Sequence, residues 1–125
     1  MTKLKIELAD NPYLLSKGLM HRTEMAQDQG MLFKFPNILE ASFWGKNTYI
    51  PLDVAFIRKG KITSIKQIVP LSTRAIRSDG VCDMAVEANA GFFKENNIKI
   101  GDSIDIIKNK EDKESEIVFN NVKNN

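Results

Sequence analysis

Short segments of β-type sequence follow one another along most of this chain and limit the architectures that it can adopt. Polar and apolar residues alternate over residues 3–8, which is typical of a strand with one buried face. The apolar run at 30–36 predicts a short strand that Pro36 ends. A further strand is predicted at 43–48, where the chain runs into a turn.

The middle of the chain predicts a β-hairpin. Residues 52–58 form a strand-like run, and Lys59-Gly60 is expected to turn the chain back. The following stretch, 61–69, is rich in β-branched residues, but its isoleucines recur at intervals of three. That spacing suits neither a regular strand nor a helix of this length, so we predict a strand with a bulge.

The last third of the chain continues the pattern of short elements. The predicted elements are a loop at 71–80 that closes on an Asp79-Gly80 turn, a strand at 81–88, and a terminal hairpin of 102–108 and 115–122 around 109–113. The charges of that terminal turn are expected to form a solvated tip.

Two short stretches have helical character. An amphipathic helix is predicted at 11–20, with Asp10 as its N-cap and Pro12 in its first turn. Gly18 weakens that helix, and a close approach of another backbone is expected there. Residues 91–97 are expected to form one or two helical turns. The fold class is therefore α+β but mainly β: a small single-domain, barrel-like sheet (1–125) with one or two short helices and a disordered C-terminal few residues.

Composition excludes several classes of protein. The chain has 125 residues and a net charge of +2, from 18 basic and 16 acidic side chains, with no long block of like charge. Nucleic-acid binding is therefore not expected. No apolar run is long enough to span a membrane, and the first residues lack the apolar segment of a secretory signal. The predicted protein is soluble and cytoplasmic.

The familiar catalytic and metal-binding patterns are missing from the sequence. His21 and Cys82 are each the sole residue of their type, so neither a histidine-based metal site nor a disulfide is predicted. No cofactor motif occurs, and no cofactor is expected. His21 is interpreted as a half-exposed residue at a helix end, and Cys82 as a small hydrophobic residue of a core strand.

The segment 43–53 carries more information than an ordinary strand, because Asn47 and Thr48 interrupt its apolar pattern and Asp53 follows Pro51. At this point the chain resembles the bacterial and archaeal family called domain of unknown function 192 (uncharacterised protein family 0127). The matching motifs, in family order, are Gly18-Leu19-Met20 with Arg22, Gly30-Met31-Leu32-Phe33 with Phe35, Phe43-Trp44 through Asn47-Thr48, Ile50-Pro51-Leu52-Asp53, Glu87 with Ala90-Gly91, and Gly101-Asp102.

The resemblance covers residues 5–107 and implies a small β-rich domain with accessory helices, without an established activity. Two positions depart from the family pattern. The family usually has Met after the Trp, where this chain has Gly45, and Leu before the Glu, where this chain has Val86. The first change is expected to open space beside Asn47, whereas the second keeps a core hydrophobe.

The polar residues of these motifs, together with the tryptophan, are the candidate ligand-binding residues. They are Arg22, Trp44, Asn47, Thr48, Asp53 and Glu87. Buried charges must be paired, so the arginine is expected to meet the two carboxylates at one rim of the barrel.

Several functions are compatible with such a rim. We expect a non-catalytic binding or accessory module that takes a small polar or anionic ligand, held by Arg22 and oriented by the aromatic and polar side chains. One alternative is an enzyme in which Asp53 and Glu87 act as an acid–base pair on a sugar-like substrate. Another is a purely structural cluster, and a protein-interaction module would expose an apolar patch around Phe92-Phe93.

Overall fold

The computed structural model describes residues 2–108 and 115–121, and nine strands and two short helices lie within these ranges. In chain order they are β1 (Thr2–Ala9), α1 (Pro12–Lys17), β2 (Gln29–Leu39), β3 (Ser42–Phe43), β4 (Leu52–Arg58), β5 (Lys61–Ile68), β6 (Ile76–Arg77), β7 (Cys82–Asn89), α2 (Phe92–Glu95), β8 (Ser103–Lys108) and β9 (Ser115–Asn120).

Seven of the strands close into a barrel in the order β1-β2-β7-β4-β5-β8-β9, and β9 pairs back with β1. Neighbouring strands are antiparallel except for β1 and β2, which are parallel and are connected through α1. The two-residue strands β3 and β6 pair with each other outside the barrel. The predicted mainly β, barrel-like fold is confirmed.

The interior of the barrel holds the first of two cores. All seven barrel strands contribute side chains to it, and these side chains include Leu4, Leu32 and Ile117. Helix α2, which lies within the predicted 91–97, adds Phe92 and Phe93, whose rings pack on Phe119. These two rings are 6% and 1% exposed. The exposed apolar patch that a protein-interaction module would present around them is therefore not formed.

The second core lies on the outer face of the sheet formed by β2, β7, β4 and β5. Val54, Phe56 and Ala85 point outward from the strands and pack under Leu19, from the segment after α1, and Ala41, from the β2–β3 connection. Because β4 and β7 are buried on both faces, their sequences lack the alternation of a half-exposed strand. This outer core positions the candidate site.

The central hairpin agrees with the sequence prediction. Lys59 and Gly60 both have positive φ, of 51° and 76°, as a two-residue turn matched to the twist of the strands requires. The register shifts between Phe56, which pairs with Ser64, and Ile57, which pairs with Ile62. Thr63 is left over on β5 and forms the predicted bulge.

Helix α1 (Pro12–Lys17) is shorter than the predicted 11–20, and both its N-cap and its first residue lie one position later than predicted. Asn11, not Asp10, is the N-cap, and its Oδ1 accepts a hydrogen bond from the backbone N–H of Leu14 at 2.9 Å. The helix ends at Gly18, which has φ 50° and ψ −130°, a conformation that only glycine adopts readily. Pro12 occupies the first turn as predicted.

The larger remaining differences from the prediction lie in three segments. Strand β2 continues through Pro36 to Leu39, because its ladder to β7 is interrupted after Lys34 and no hydrogen bond is needed from the proline nitrogen. The strand expected at 43–48 is reduced to β3, two residues long. The loop expected at 71–80 contains the short β6, and the chain bends at Asp79-Gly80, where both residues have positive φ.

Strands β8 and β9 form the predicted terminal hairpin. Its turn at 109–113 and the C-terminal few residues predicted to be disordered, 122–125, lie outside the described residues. Across residues 2–108 and 115–121, neither helix has the length and apolar character needed to cross a membrane.

Candidate functional site

The six residues selected from the sequence separate into two groups in the structure. Trp44, Thr48 and Glu87 line one cavity on the outer core. The other three, Arg22, Asn47 and Asp53, are not part of its wall. The expected meeting of Arg22, Asp53 and Glu87 at one rim is therefore wrong.

Arg22 pairs with Glu7 of β1, not with either predicted carboxylate. Its guanidinium makes a two-pronged contact in which Nη1 donates to Oε2 and Nη2 donates to Oε1, the latter at 3.1 Å. The two side chains are 38% and 56% exposed, so the ion pair lies on the surface. Sequence reasoning overlooked Glu7 because it belongs to a strand whose polar residues were assigned to solvent.

We expect the substitution Arg22→Ala to lower the free energy of unfolding by only about 0.2–1 kcal/mol, because exposed ion pairs are weak. Chemical denaturation of Arg22→Ala, Glu7→Ala and the double variant measures the coupling between the two side chains. A loss of several kcal/mol for Arg22→Ala alone would mean that the guanidinium satisfies a buried charge after all.

Asp53 and Glu87 lie on opposite faces of adjacent strands. Asp53 pairs with Ala88 across the β4–β7 ladder and Val54 pairs with Glu87, so the two carboxylates leave the sheet in opposite directions. The Asp53 side chain points to the α2 end of the barrel, where its Oδ2 accepts a hydrogen bond from the N–H of Gly91 at 2.8 Å. An acid–base pair of these two residues is therefore excluded by register.

Asn47 shapes the loop between β3 and β4. It has a positive φ of 56°, which asparagine tolerates better than most residues, and its side chain is exposed. Its carbonyl oxygen accepts a hydrogen bond from the backbone N–H of His21 at 2.7 Å. This contact holds the loop against the segment after α1, with His21 itself exposed.

Gly45 does not open space beside Asn47, contrary to the expectation from the family pattern. A Cβ at this position would lie 1.9 Å from the carbonyl oxygen of Val69. The Gly45 N–H donates to Ser72 O at 2.9 Å, and its carbonyl accepts from Thr48 and Leu71. The loop 44–48 is thus laid tightly on the 69–72 segment, and glycine permits this close contact.

The cavity lined by Trp44, Thr48 and Glu87 has a volume of about 330 Å³. Helix α1 and the segment after it form one wall, β2 contributes Phe33 and Phe35, and the 39–44 segment forms the opposite wall. Trp44 is 43% exposed, whereas Thr48 and Glu87 are 5% and 4% exposed. An aromatic side chain therefore flanks the opening and polar groups lie deeper, an arrangement common in small-molecule sites.

Glu87 is the unusual residue of this cavity. Among the described residues its carboxyl group has no hydrogen-bond or ion-pair partner. Burial raises its pKa to about 8, and desolvation is the sole cause. The group is therefore mostly an uncharged carboxylic acid at neutral pH. Strongly perturbed acids in concave sites are more frequent at functional positions than elsewhere.

Gly18 makes room for the Glu87 carboxyl group. A Cβ on Gly18 would lie 3.4 Å from Oε1 of Glu87 and 3.3 Å from the ring carbon Cζ of Phe33. The close approach expected at Gly18 is therefore made by two side chains and not by a backbone. Its positive φ of 50° adds a second reason for glycine at this position.

The sequence interpretation missed several residues that form the cavity wall. The apolar ones were assigned to the core, and Glu40 had no distinguishing signal. The residues missed include Leu15, Gly18, Met20, Phe33, Phe35, Leu39 and Glu40. Four of them, Gly18, Met20, Phe33 and Phe35, belong to the motifs that carry the family resemblance. Their membership of these motifs was the sequence signal that could have identified them as cavity residues.

Cys82 is buried in the outer core, as the sequence predicted. Burial, above all, raises the pKa of its thiol, which keeps the group protonated. It does not line the cavity.

Comparison with known proteins gives a consistent family and fold. The model of the family domain of unknown function 192, described as an uncharacterised ACR, matches residues 1–106. No curated protein matches the chain.

Two solved structures are similar to it. The first is a protein of Sinorhizobium meliloti 1021 that carries the provisional description of transcription regulator. It is 41% identical with a TM-score of 0.78, over 80% of this chain and 79% of that one. The second is a protein of unknown function from Novosphingobium aromaticivorans DSM 12444. It is 33% identical with a TM-score of 0.77, over 80% of this chain and 73% of that one.

Proposed function

The chain belongs to the family domain of unknown function 192, and we propose that it is a non-catalytic module that binds a small molecule in the cavity above Glu87. The ligand is a compact, partly apolar molecule with a polar group that reaches the Glu87 carboxyl group.

The observation that carries this proposal is the unpartnered carboxyl group of Glu87. A carboxyl group in a residue that is 4% exposed, with its pKa raised by burial and with no partner in the described part of the protein, is a perturbed acid of the kind found more often at functional sites. Its position in the wall of an open cavity gives a ligand access to it. A ligand that hydrogen-bonds to the carboxyl group in place of water would gain affinity and orientation from this contact.

The remaining wall supports the same proposal. Trp44 offers an aromatic face at the opening, and the Nζ of Lys46 lies 5.1 Å from the centroid of its indole. Thr48 Oγ1 donates to the Lys46 carbonyl at 3.2 Å, so its free lone pairs remain available to accept. A volume of about 330 Å³ suits a molecule of few atoms.

Of the small polar or anionic ligand expected from the sequence, only the polar, uncharged alternative is proposed here. Arg22, which was to hold the anion, is engaged with Glu7 outside the cavity. An anion placed against the largely buried Glu87 would lose its own hydration, and it would face a like charge whenever Glu87 ionised.

A thermal-shift screen tests this function. We expect small amides, alcohols and amines to raise the melting temperature of the wild-type protein, and sugars, nucleotides and organic acids to serve as further members of the panel. Trp44→Ala should abolish the shift while leaving the ligand-free melting temperature nearly unchanged, because the ring is 43% exposed.

Tyr49→Ala is the matched control, because Tyr49 is a 50% exposed aromatic residue outside the cavity wall. Its variant should keep every ligand-induced shift. The proposal fails if no compound shifts the wild type, or if Trp44→Ala and Tyr49→Ala respond alike.

A further inference from the structure

We propose that the cavity selects an uncharged planar group that presents a hydrogen-bond donor and an acceptor side by side, such as a carboxamide, a lactam or the edge of a nucleobase. This inference rests on the proposed function, since it specifies the ligand of the same cavity.

The Glu87 side chain lines the cavity, so a ligand bound there can reach its carboxyl group. No hydrogen bond to either one occurs in residues 2–108 and 115–121, and the side chain is 4% exposed. An uncharged carboxyl group has one O–H donor and one carbonyl acceptor in a single plane. The complementary ligand edge therefore also has one acceptor and one donor in a plane, and a primary amide meets both with two parallel hydrogen bonds.

The charges around the cavity favour an uncharged ligand over a cationic one. Lys17 and Glu40 are the other ionisable residues of the wall, one on α1 and one on the segment after β2. Neither contributes to the raised pKa of Glu87, which desolvation alone accounts for. The Lys17 ammonium lies 5.7 Å from the centroid of the Tyr13 ring and forms no ion pair with Glu87.

The strands on either side of Glu87 also bring no charge to it. Its neighbours across the ladders are Met31 on β2 and Val54 on β4, both apolar and buried. Asp53 precedes Val54 on β4, but its side chain leaves the sheet on the face opposite to Glu87. Ionisation of Glu87 inside this apolar surrounding is unfavourable, so a cationic partner would first have to drive the loss of the proton.

Three probes of nearly the same shape separate the possibilities: benzamide is uncharged, benzamidine is cationic and benzoate is anionic. Each is titrated into ¹⁵N-labelled protein while the backbone amide of Gly18 and the indole N–H of Trp44 are followed by NMR. We expect benzamide to bind most tightly at pH 7 and benzoate not to bind. Benzamide affinity should be constant at acidic pH and fall about tenfold per pH unit above about pH 8, where Glu87 ionises.

Two substitutions at Glu87 keep the inference falsifiable. Glu87→Gln retains an uncharged donor and acceptor, so benzamide should still bind within a few-fold of wild type but without the loss at high pH. Glu87→Leu removes both polar atoms at similar volume, and benzamide binding should be lost. A structural role for Glu87 would not move the pH profile of ligand affinity.

The results distinguish a failure of this ligand inference from a failure of the proposed binding function. If benzamidine binds more tightly than benzamide at pH 7, or if benzamide affinity ignores pH in the wild type, the inference is wrong. If benzamide leaves the Gly18 and Trp44 signals unchanged but another compound of the screen shifts them, the inference fails and the binding function stands. If no compound shifts them, both fail.

Discussion

The wild-type protein should lose stability as the pH rises from about 4.5 to about 8, and Glu87→Gln should abolish most of that loss. Glu87 has its pKa raised from 4.5 to about 8 by burial. Below that interval the group is protonated in the folded and unfolded states alike and contributes nothing. Within it the unfolded chain releases the proton and the folded protein does not, so unfolding becomes easier with each pH unit.

The expected magnitude is large for one side chain. At about 1.4 kcal/mol per unit of pKa difference, the free energy of unfolding falls by up to about 5 kcal/mol across the interval and then levels off. Denaturant unfolding of both proteins from pH 4 to 9 measures it. The two curves should meet near the acidic end and diverge above it, and parallel curves would contradict a buried, unpaired carboxyl group.

Phe33→Ala should lower the free energy of unfolding by about 3–5 kcal/mol, the range for removal of a buried aromatic ring. Phe33 is 1% exposed and packs edge-on against Phe43 with a centroid distance of 4.9 Å. Its ring also touches the space beside Gly18, so the substitution joins a new void to the cavity.

Phe35→Ala is the matched comparison, because Phe35 lies two residues further along the same strand and face but is only half-buried. Its loss should be clearly smaller, since less surface is returned to water. Urea unfolding of both variants provides the measurement. Equal losses would show that the outer core does not depend on the Phe33 ring in particular.

The fold was predictable where local chemistry decides the backbone. Lys59-Gly60 specifies a tight turn, and the three-residue spacing of isoleucines after it reveals the bulge at Thr63, because a regular strand would bury them on alternate faces. The N-cap was misplaced by one residue because Asp10 and Asn11 are both good caps, and the choice depends on where the chain leaves β1. Strand β2 continues past Pro36 because its pairing with β7 is interrupted after Lys34. A single sequence does not show where the pairing between two strands is interrupted.

The site was only half predictable for a related reason. Trp44, Thr48 and Glu87 were found, but the partner of Arg22 was chosen among carboxylates without knowledge of strand order. The parallel pairing of β1 with β2 brings Glu7 to Arg22. Asp53 and Glu87 are separated because Asp53 pairs with Ala88. A shift of the register by one residue would have paired Asp53 with Glu87 and placed both side chains on the same face of the sheet.

The pairing of β9 with β1 joins the two ends of the described chain, with Thr2 opposite Phe119. During synthesis, β1 therefore leaves the ribosome more than a hundred residues before the strand that completes its hydrogen bonding. Until β9 is made, the edges of β1 and β8 that pair with it keep their backbone N–H and C=O groups open to other chains. Open strand edges of this kind are the usual route to strand-mediated aggregation. The family match ends at residue 106, so the strand that removes this hazard lies outside the shared segment.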